Sequence, residues 1–178
     1  MIKSCVIGLS KIGQIHCNNL KKIKITSLNF VYDKDKTLRS SAAKKFKCQT
    51  SNNFEEILRN KEIELFIIAS PTTTHEYYLN KLIQYKKIIY CEKPISLNAS
   101  KLNSLVKRIK SKKIKICIGL NRRFSDAYIK MKKLMKNKKV KIIQIISRSS
   151  NANVTLSVRN GGLFMDKGFH FFDLACWF

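Results

Sequence analysis

Acidic residues are scarce in this sequence: 11 Asp and Glu stand against 36 Lys and Arg, a formal net charge of +25 at pH 7. Proline and glycine are scarce too, two and six among 178 residues, which excludes collagen-like and low-complexity architectures. No apolar run reaches the ~18 residues that a membrane helix needs. The opening Met1-Ile-Lys-Ser-Cys-Val-Ile-Gly8 lacks the apolar core and cleavage signature of a secretion signal. These absences predict a cytoplasmic globular chain with no membrane association. Cys5, Cys17, Cys48, Cys91, Cys117 and Cys176 are widely spaced, with no Cys-x-x-Cys pair and no clustered histidines. Neither a disulfide framework nor a zinc-ligand spacing is present, so six reduced thiols and no metal are expected.

Cationic charge is what the sequence has in excess. Clustered cations suit nucleic acid or anionic membranes, because they release counterions from a phosphate backbone. Only seven of the 36 are arginine, however, and lysine supplies the rest. Lysine, isoleucine and asparagine are all abundant and all have AT-rich codons, so a biased genome accounts for much of the excess. The densest run, Lys130 to Lys141, interleaves with Ile129, Leu134 and Met135 as an amphipathic surface helix does. Nonspecific polyanion binding at low salt is expected, and no specific nucleic-acid partner.

Short β-branched runs alternate with amphipathic stretches through the first two-thirds. Ile2–Ile7, Ser27–Tyr32, Leu65–Ala69, Ile88–Cys91 and Ile114–Ile118 read as strands buried on both faces. Ile12–Lys22, Lys36–Lys45, Phe54–Arg59, His75–Gln84 and Asn98–Lys110 read as the helices between them. Such alternation predicts an α/β fold, a doubly wound parallel sheet built from right-handed βαβ units. The polar segment Gly119–Ser125 is the expected boundary, giving domains 1–119 and 120–178. Beyond it we expect a helix near Ser125–Asn137, a strand near Ile142–Ser149, a polar loop through Asn160, and a helix from about Lys167.

Gly8-Leu-Ser-Lys-Ile-Gly13 follows the first strand and opens the first helix. Dinucleotide-binding turns place glycines here for a tight turn, for backbone approach to pyrophosphate and for helix–strand packing. The helix N-terminus then offers amides and a favourable dipole to phosphate. In the pattern G-x-G-x-x-G the middle glycine is Ser10, whose hydroxyl suits a phosphate and whose Cβ crowds it. Asp33 ends the second strand, 20 residues beyond Gly13, where an acidic side chain binds ribose hydroxyls. The same carboxylate repels the 2′-phosphate of NADP, which favours NAD; the neighbouring Lys34 partly offsets this, and NADP stays open. The bland alternative is a plain α/β turn with Asp33 as a loop residue.

Four more motifs follow in order: Ser70-Pro-Thr-Thr-Thr-His75, Cys91-Glu-Lys-Pro94, Gly119-Leu-Asn-Arg-Arg-Phe124, and Gly161-Gly-Leu-Phe-Met-Asp-Lys-Gly-Phe-His170 with Asp173. On these residues the chain resembles the glucose–fructose oxidoreductase, inositol dehydrogenase and rhizopine catabolism (Gfo/Idh/MocA) family. The resemblance implies a Rossmann-type domain followed by the start of an incomplete α+β substrate domain. It implies a cofactor site from Gly8, Ser10, Lys11, Ile12, Gly13, Asp33, Ser70, Pro71, Thr72, His75, Glu92, Lys93 and Arg123. Lys93 would lie between nicotinamide and substrate, aimed by a cis Pro94. Asp166 and His170, one turn apart if helical, would be the catalytic acid–base pair, with Asp173 secondary. His75 also reads as a helix N-terminal residue without chemistry, and His16 as packing.

The implied function is NAD(P)-dependent hydride transfer between a polyol or sugar-like secondary alcohol, inositol-type, and nicotinamide. The alternatives are a catalytically silent nucleotide-binding fragment or regulatory remnant, and a basic polyanion-binding protein on a Rossmann-like scaffold. Full-length relatives are implied to be homo-oligomers, which is doubtful for a chain that covers about half of a typical member. A partial sequence, a disrupted gene and half of a split protein all account for that length. Phe171, Phe172, Trp177 and Phe178 are expected to be exposed and prone to aggregate.

Overall fold

The computed structural model describes residues 1–137, 140, 142–146, 162 and 168–178. They fall into two compact units, Met1–Ile118 and Gly119–Phe178. The first unit runs β1 (Ile2–Ile7), α1 (Lys11–Lys22), β2 (Thr26–Tyr32), α2 (Lys36–Phe46), β3 (Gln49–Thr50), α3 (Phe54–Arg59), β4 (Ile63–Ile68), α4 (His75–Gln84), β5 (Ile88–Cys91), α5 (Ala99–Ser111) and β6 (Ile116–Ile118). All six strands are parallel, in the order β3-β2-β1-β4-β5-β6. The chain therefore reverses its winding between β1 and β4, the switch point where open α/β sheets bind ligands.

Two hydrophobic clusters hold this sheet. On one face α1 and α2 lay Cys17, Leu20, Ala42 and Phe46 against Val6, Val31 and Ile67. On the other, Ile57, Leu58, Leu79, Leu82, Ile83 and Leu105 of α3, α4 and α5 pack on Cys5, Ile7, Phe66, Ile68 and Ile89. Local chemistry starts the helices: Asp35 caps α2 by accepting from the Thr37 and Leu38 amides, and Asn53 and Asn98 do the same for α3 and α5. All six cysteines are free thiols. Burial pushes the Cys17 thiol up to about 12 and that of Cys48 to about 11, so both are protonated packing groups.

Three expectations change here. β4 begins at Ile63 rather than Leu65, because the charged Glu64 that breaks the apolar run is the extra residue of a bulge: Lys3 faces Ile63 and Ser4 faces Leu65. A further strand, β3, is two exposed polar residues long, too short to carry a periodicity. β6 is shorter than expected, starting at Ile116.

In the second unit a 3-10 turn at Asn121–Phe124 leads into α6 (Asp126–Met135), and the last helix is α7 (Phe169–Trp177). Residues 142–146 of the expected strand Ile142–Ser149 lie in no strand. A β-branched run suits a strand, but a strand also needs a partner, and no described residue pairs with this segment. Residues 147–149, the loop through Asn160 and the expected helix start at Lys167 lie outside the described residues. The terminal aromatics are less bare than expected. Phe172 is 53% exposed, whereas the Arg122 guanidinium stacks 4.2 Å from the Phe171 ring and the Lys132 ammonium sits 4.2 Å from Trp177.

Candidate cofactor and catalytic site

Four turns at the carboxyl ends of β1, β2, β4 and β5 are tied to one another. Gly8 turns with φ +88°, and a Cβ there would lie 2.4 Å from the Ser70 main chain, so the first turn presses directly on the fourth strand's end. Gly13 packs α1 onto that turn so closely that a Cβ would lie 1.8 Å from the Gly8 carbonyl oxygen. The first and third glycines of the motif thus serve turn and packing. Ser10, in the middle, is the exposed N-cap residue of α1, and its side chain caps none of the helix's amides. Lys11 and Ile12 are exposed beside it.

Asp33 binds main chain on two sides. Its carboxylate accepts from the Leu9 amide at 2.8 Å and from the Asp35 amide at 2.9 Å, which fixes the β1–α1 turn against the end of β2. Arg39, which sequence reasoning passed over, donates to the Asp33 carbonyl at 2.8 Å. Each carboxylate oxygen keeps a second lone pair for a further donor.

Ser70, Pro71 and Thr72 form the turn after β4, with the Ser70 and Thr74 hydroxyls 2.7 Å apart. His75 is 1% exposed, and its two ring nitrogens lie 2.8 Å from the carbonyls of Pro94 and Ser70. Both nitrogens are occupied and the ring is buried, so His75 straps the β4 turn to the β5 turn. His75 thus opens α4 and holds together two of the turns that carry the other expected cofactor residues. After β5 the Lys93–Pro94 peptide bond is cis, as expected.

Glu92 and His16 form a pair that sequence reasoning missed. His16 Nε2 lies 2.8 Å from Glu92 Oε1, across 76 residues. Tyr90 meets the His16 ring edge-on at 5.0 Å and donates to the same carboxylate at 3.4 Å. Burial alone would raise the Glu92 carboxyl, but the His16 hydrogen bond and charge and the Lys93 amide and ammonium outweigh it and hold it below the usual range. His16 is therefore a partner of Glu92 rather than packing alone. The only available signal was its position on α1, which does not identify what it meets.

In the second unit Arg123, an expected cofactor contact, is paired with Asp173. Arg123 Nε donates to Asp173 Oδ2 at 2.8 Å and Nη2 donates to Oδ1 at 2.5 Å, a bidentate pair that raises the guanidinium further. Asp173 is thus the anchor of Arg123. His170 is half-buried in the first turn of α7, while Asp166 lies outside the described residues.

An open parallel α/β sheet with these turns at its switch point defines the dinucleotide-binding class. Residues 2–120 match the model of the oxidoreductase family with an NAD-binding Rossmann fold, Gfo/Idh/MocA, and the chain belongs to that family. It is 30% identical over 175 residues to the myo-inositol 2-dehydrogenase of Thermotoga maritima, covering 96% of this chain and 52% of that one. To the inositol 2-dehydrogenase of Rhizobium meliloti it is 28% identical, again over 96% and 52%. The chain thus spans about half the length of the curated relatives it matches. The structure superposes with TM-score 0.87 and 25% identity on scyllo-inositol dehydrogenase from Lactobacillus casei, solved with NAD(H) and scyllo-inositol, over 100% of this chain and 56% of that one.

Proposed function

We propose that the chain is the NAD-binding and proton-transferring half of an inositol-type polyol dehydrogenase. What carries the reading is the interlocked edge: the Gly8–Gly13 turn held by Asp33, and the Ser70 and Pro94 turns strapped by His75. The residues fit the cofactor. An exposed helix start with uncapped amides at Ser10, Lys11 and Ile12 suits a pyrophosphate, and Asp33 has lone pairs left for a ribose. Ser70, Pro71 and Thr72 line the same edge. When bound, NAD supplies the hydride acceptor.

The chain's own groups then hold and move protons. Lys93 hydrogen-bonds the reacting hydroxyl through Nζ, and Glu92, itself held by His16, fixes the backbone that carries it. His170 accepts the hydroxyl proton on its imidazole, and Asp166 orients that ring. Residues 120–178 are the beginning of the substrate domain.

Calorimetric titration of the 178-residue chain with NAD and NADP at ~0.2 M salt, where nonspecific attraction is screened, tests the reading. One-to-one binding that prefers NAD is expected, weakened at least about tenfold by Asp33→Ala, the loss of one charge-assisted hydrogen bond. Unchanged affinity in that variant would remove Asp33 from the site. Lys93→Ala should keep NAD affinity, and should lose inositol oxidation in any assembly that turns over. Retained turnover would overturn its assignment.

A further inference from the structure

The amino ends of β4, β5 and β6 form the sheet edge opposite the cofactor turns, about 20 Å away along the six residues of β4. Three segments meet there around a groove of about 500 Å³: Lys61 before β4, Lys86 and Lys87 before β5, and Lys112, Lys113 and Lys115 before β6. α4 and α5 end at this groove in the same way. The chain turns through Lys86 and through Lys113, each at φ 52°. The following amide then reaches back along the helix, Lys87 to the Leu82 carbonyl and Ile114 to the Ile109 carbonyl. Glycine is the usual residue in such a helix stop, because a Cβ is crowded at positive φ. Both turns carry lysine instead, which sets two Lys-Lys pairs on one groove.

Charge decides what the groove can hold. Lys87 is a strut, its ammonium donating to the Asn60 and Ile63 carbonyls at 2.8 and 2.7 Å. The other five lysines are exposed, and none forms an ion pair with a described residue. Glu64 is the one acid in the lining. The C-termini of α4 and α5 add roughly one further negative charge between them, which leaves roughly four positive charges uncompensated. A cleft lined by one sign of charge focuses its field on an oppositely charged ligand. A single phosphate carries at most about two negative charges, so two or more linked phosphates are needed to match the groove. Nothing in the lining reads a base: it holds no arginine, and its one aromatic, Tyr85, is half-buried with its hydroxyl donating to Glu55 at 3.2 Å. The volume is that of a small-molecule site. We propose that this groove binds a condensed phosphate, two or more phosphates in a row, either free or as the tail of a nucleotide. The site is separate from the cofactor edge and independent of the reaction proposed above.

Calorimetric titration of the 178-residue chain with sodium tripolyphosphate, at ~0.15 M salt and without divalent cations, tests it. One-to-one binding is expected. Lys86→Asn, Lys112→Gln and Lys113→Asn together should weaken it at least about tenfold, through loss of three charge-assisted hydrogen bonds. Asparagine tolerates positive φ better than lysine does, so this variant should keep the thermal transition of the chain. Lys130→Gln, Lys133→Gln and Lys136→Gln together remove the same charge from the densest lysine run of the sequence, in the second unit. That variant should change affinity less than about twofold, because the long-range attraction of exposed charges is screened at this ionic strength. ATP that binds no more tightly than tripolyphosphate makes the free phosphate chain the ligand, and ATP that binds more tightly, with the same loss in the groove variant, makes it a nucleotide; either upholds the site. No binding overturns the proposal, as does equal weakening by the two triple variants. A single-stranded oligonucleotide that binds more tightly than tripolyphosphate, and loses that affinity in the groove variant, would also overturn it, making nucleic acid the occupant.

Discussion

Gly13 illustrates how little room a single residue can have. An added Cβ would meet the Gly8 carbonyl at 1.8 Å, and that atom is backbone, which cannot swing away. Gly13→Ala should lower stability by about 1–3 kcal/mol, the range of overpacking, read as a lower urea midpoint. The Glu92–His16 pair gives a residue-scale pH dependence. Glu92 is held below its unfolded value, so its contribution is complete above the usual carboxylate pKa and is lost as pH falls through the lowered folded one. Wild type should therefore lose more thermal stability than Glu92→Gln between about pH 6 and pH 3, the range that brackets an ordinary glutamate at about 4.3. Equal losses would remove the ion pair from the acid response.

Two helix starts make opposite predictions. Asp35 accepts from two amides of α2, whereas Ser10 caps nothing on α1. Asp35→Ala should cost about 0.5–2 kcal/mol in urea unfolding. Ser10→Ala should change stability little and be felt in NAD affinity instead, through loss of the hydroxyl that suits a phosphate. Elements were also what the sequence displayed best. α3, α4, β1 and β5 have the bounds that periodicity predicted, because apolar spacing, Asn caps and Gly turns are local signals. β3 and the early start of β4 were invisible, since pairing with a neighbour rather than composition makes them strands.

Both hydrophobic clusters are built entirely from residues up to Ile118. A chain ending at Ile118 should accordingly unfold in one cooperative urea transition with a slope of about 1–3 kcal/mol/M, as small domains do. A broad, non-cooperative loss of helix would show that the first unit needs the second. The excess charge belongs to this scale as well: retention on a polyanion resin should collapse between about 50 and 200 mM salt, as counterion release requires, while cofactor binding persists.

By itself the sequence determined the alternation of strands and helices, the glycine turn, the acid at the end of β2 and the order of the motifs, each set by chemistry within a few residues. The tertiary structure decided partners. Only folding brought His16 to Glu92 across 76 residues and Arg123 to Asp173 across 50, and only folding buried His75 between two carbonyls. Hydrogen bonds and burial act over a few ångströms of space, and the fold alone sets which distant residues come that close.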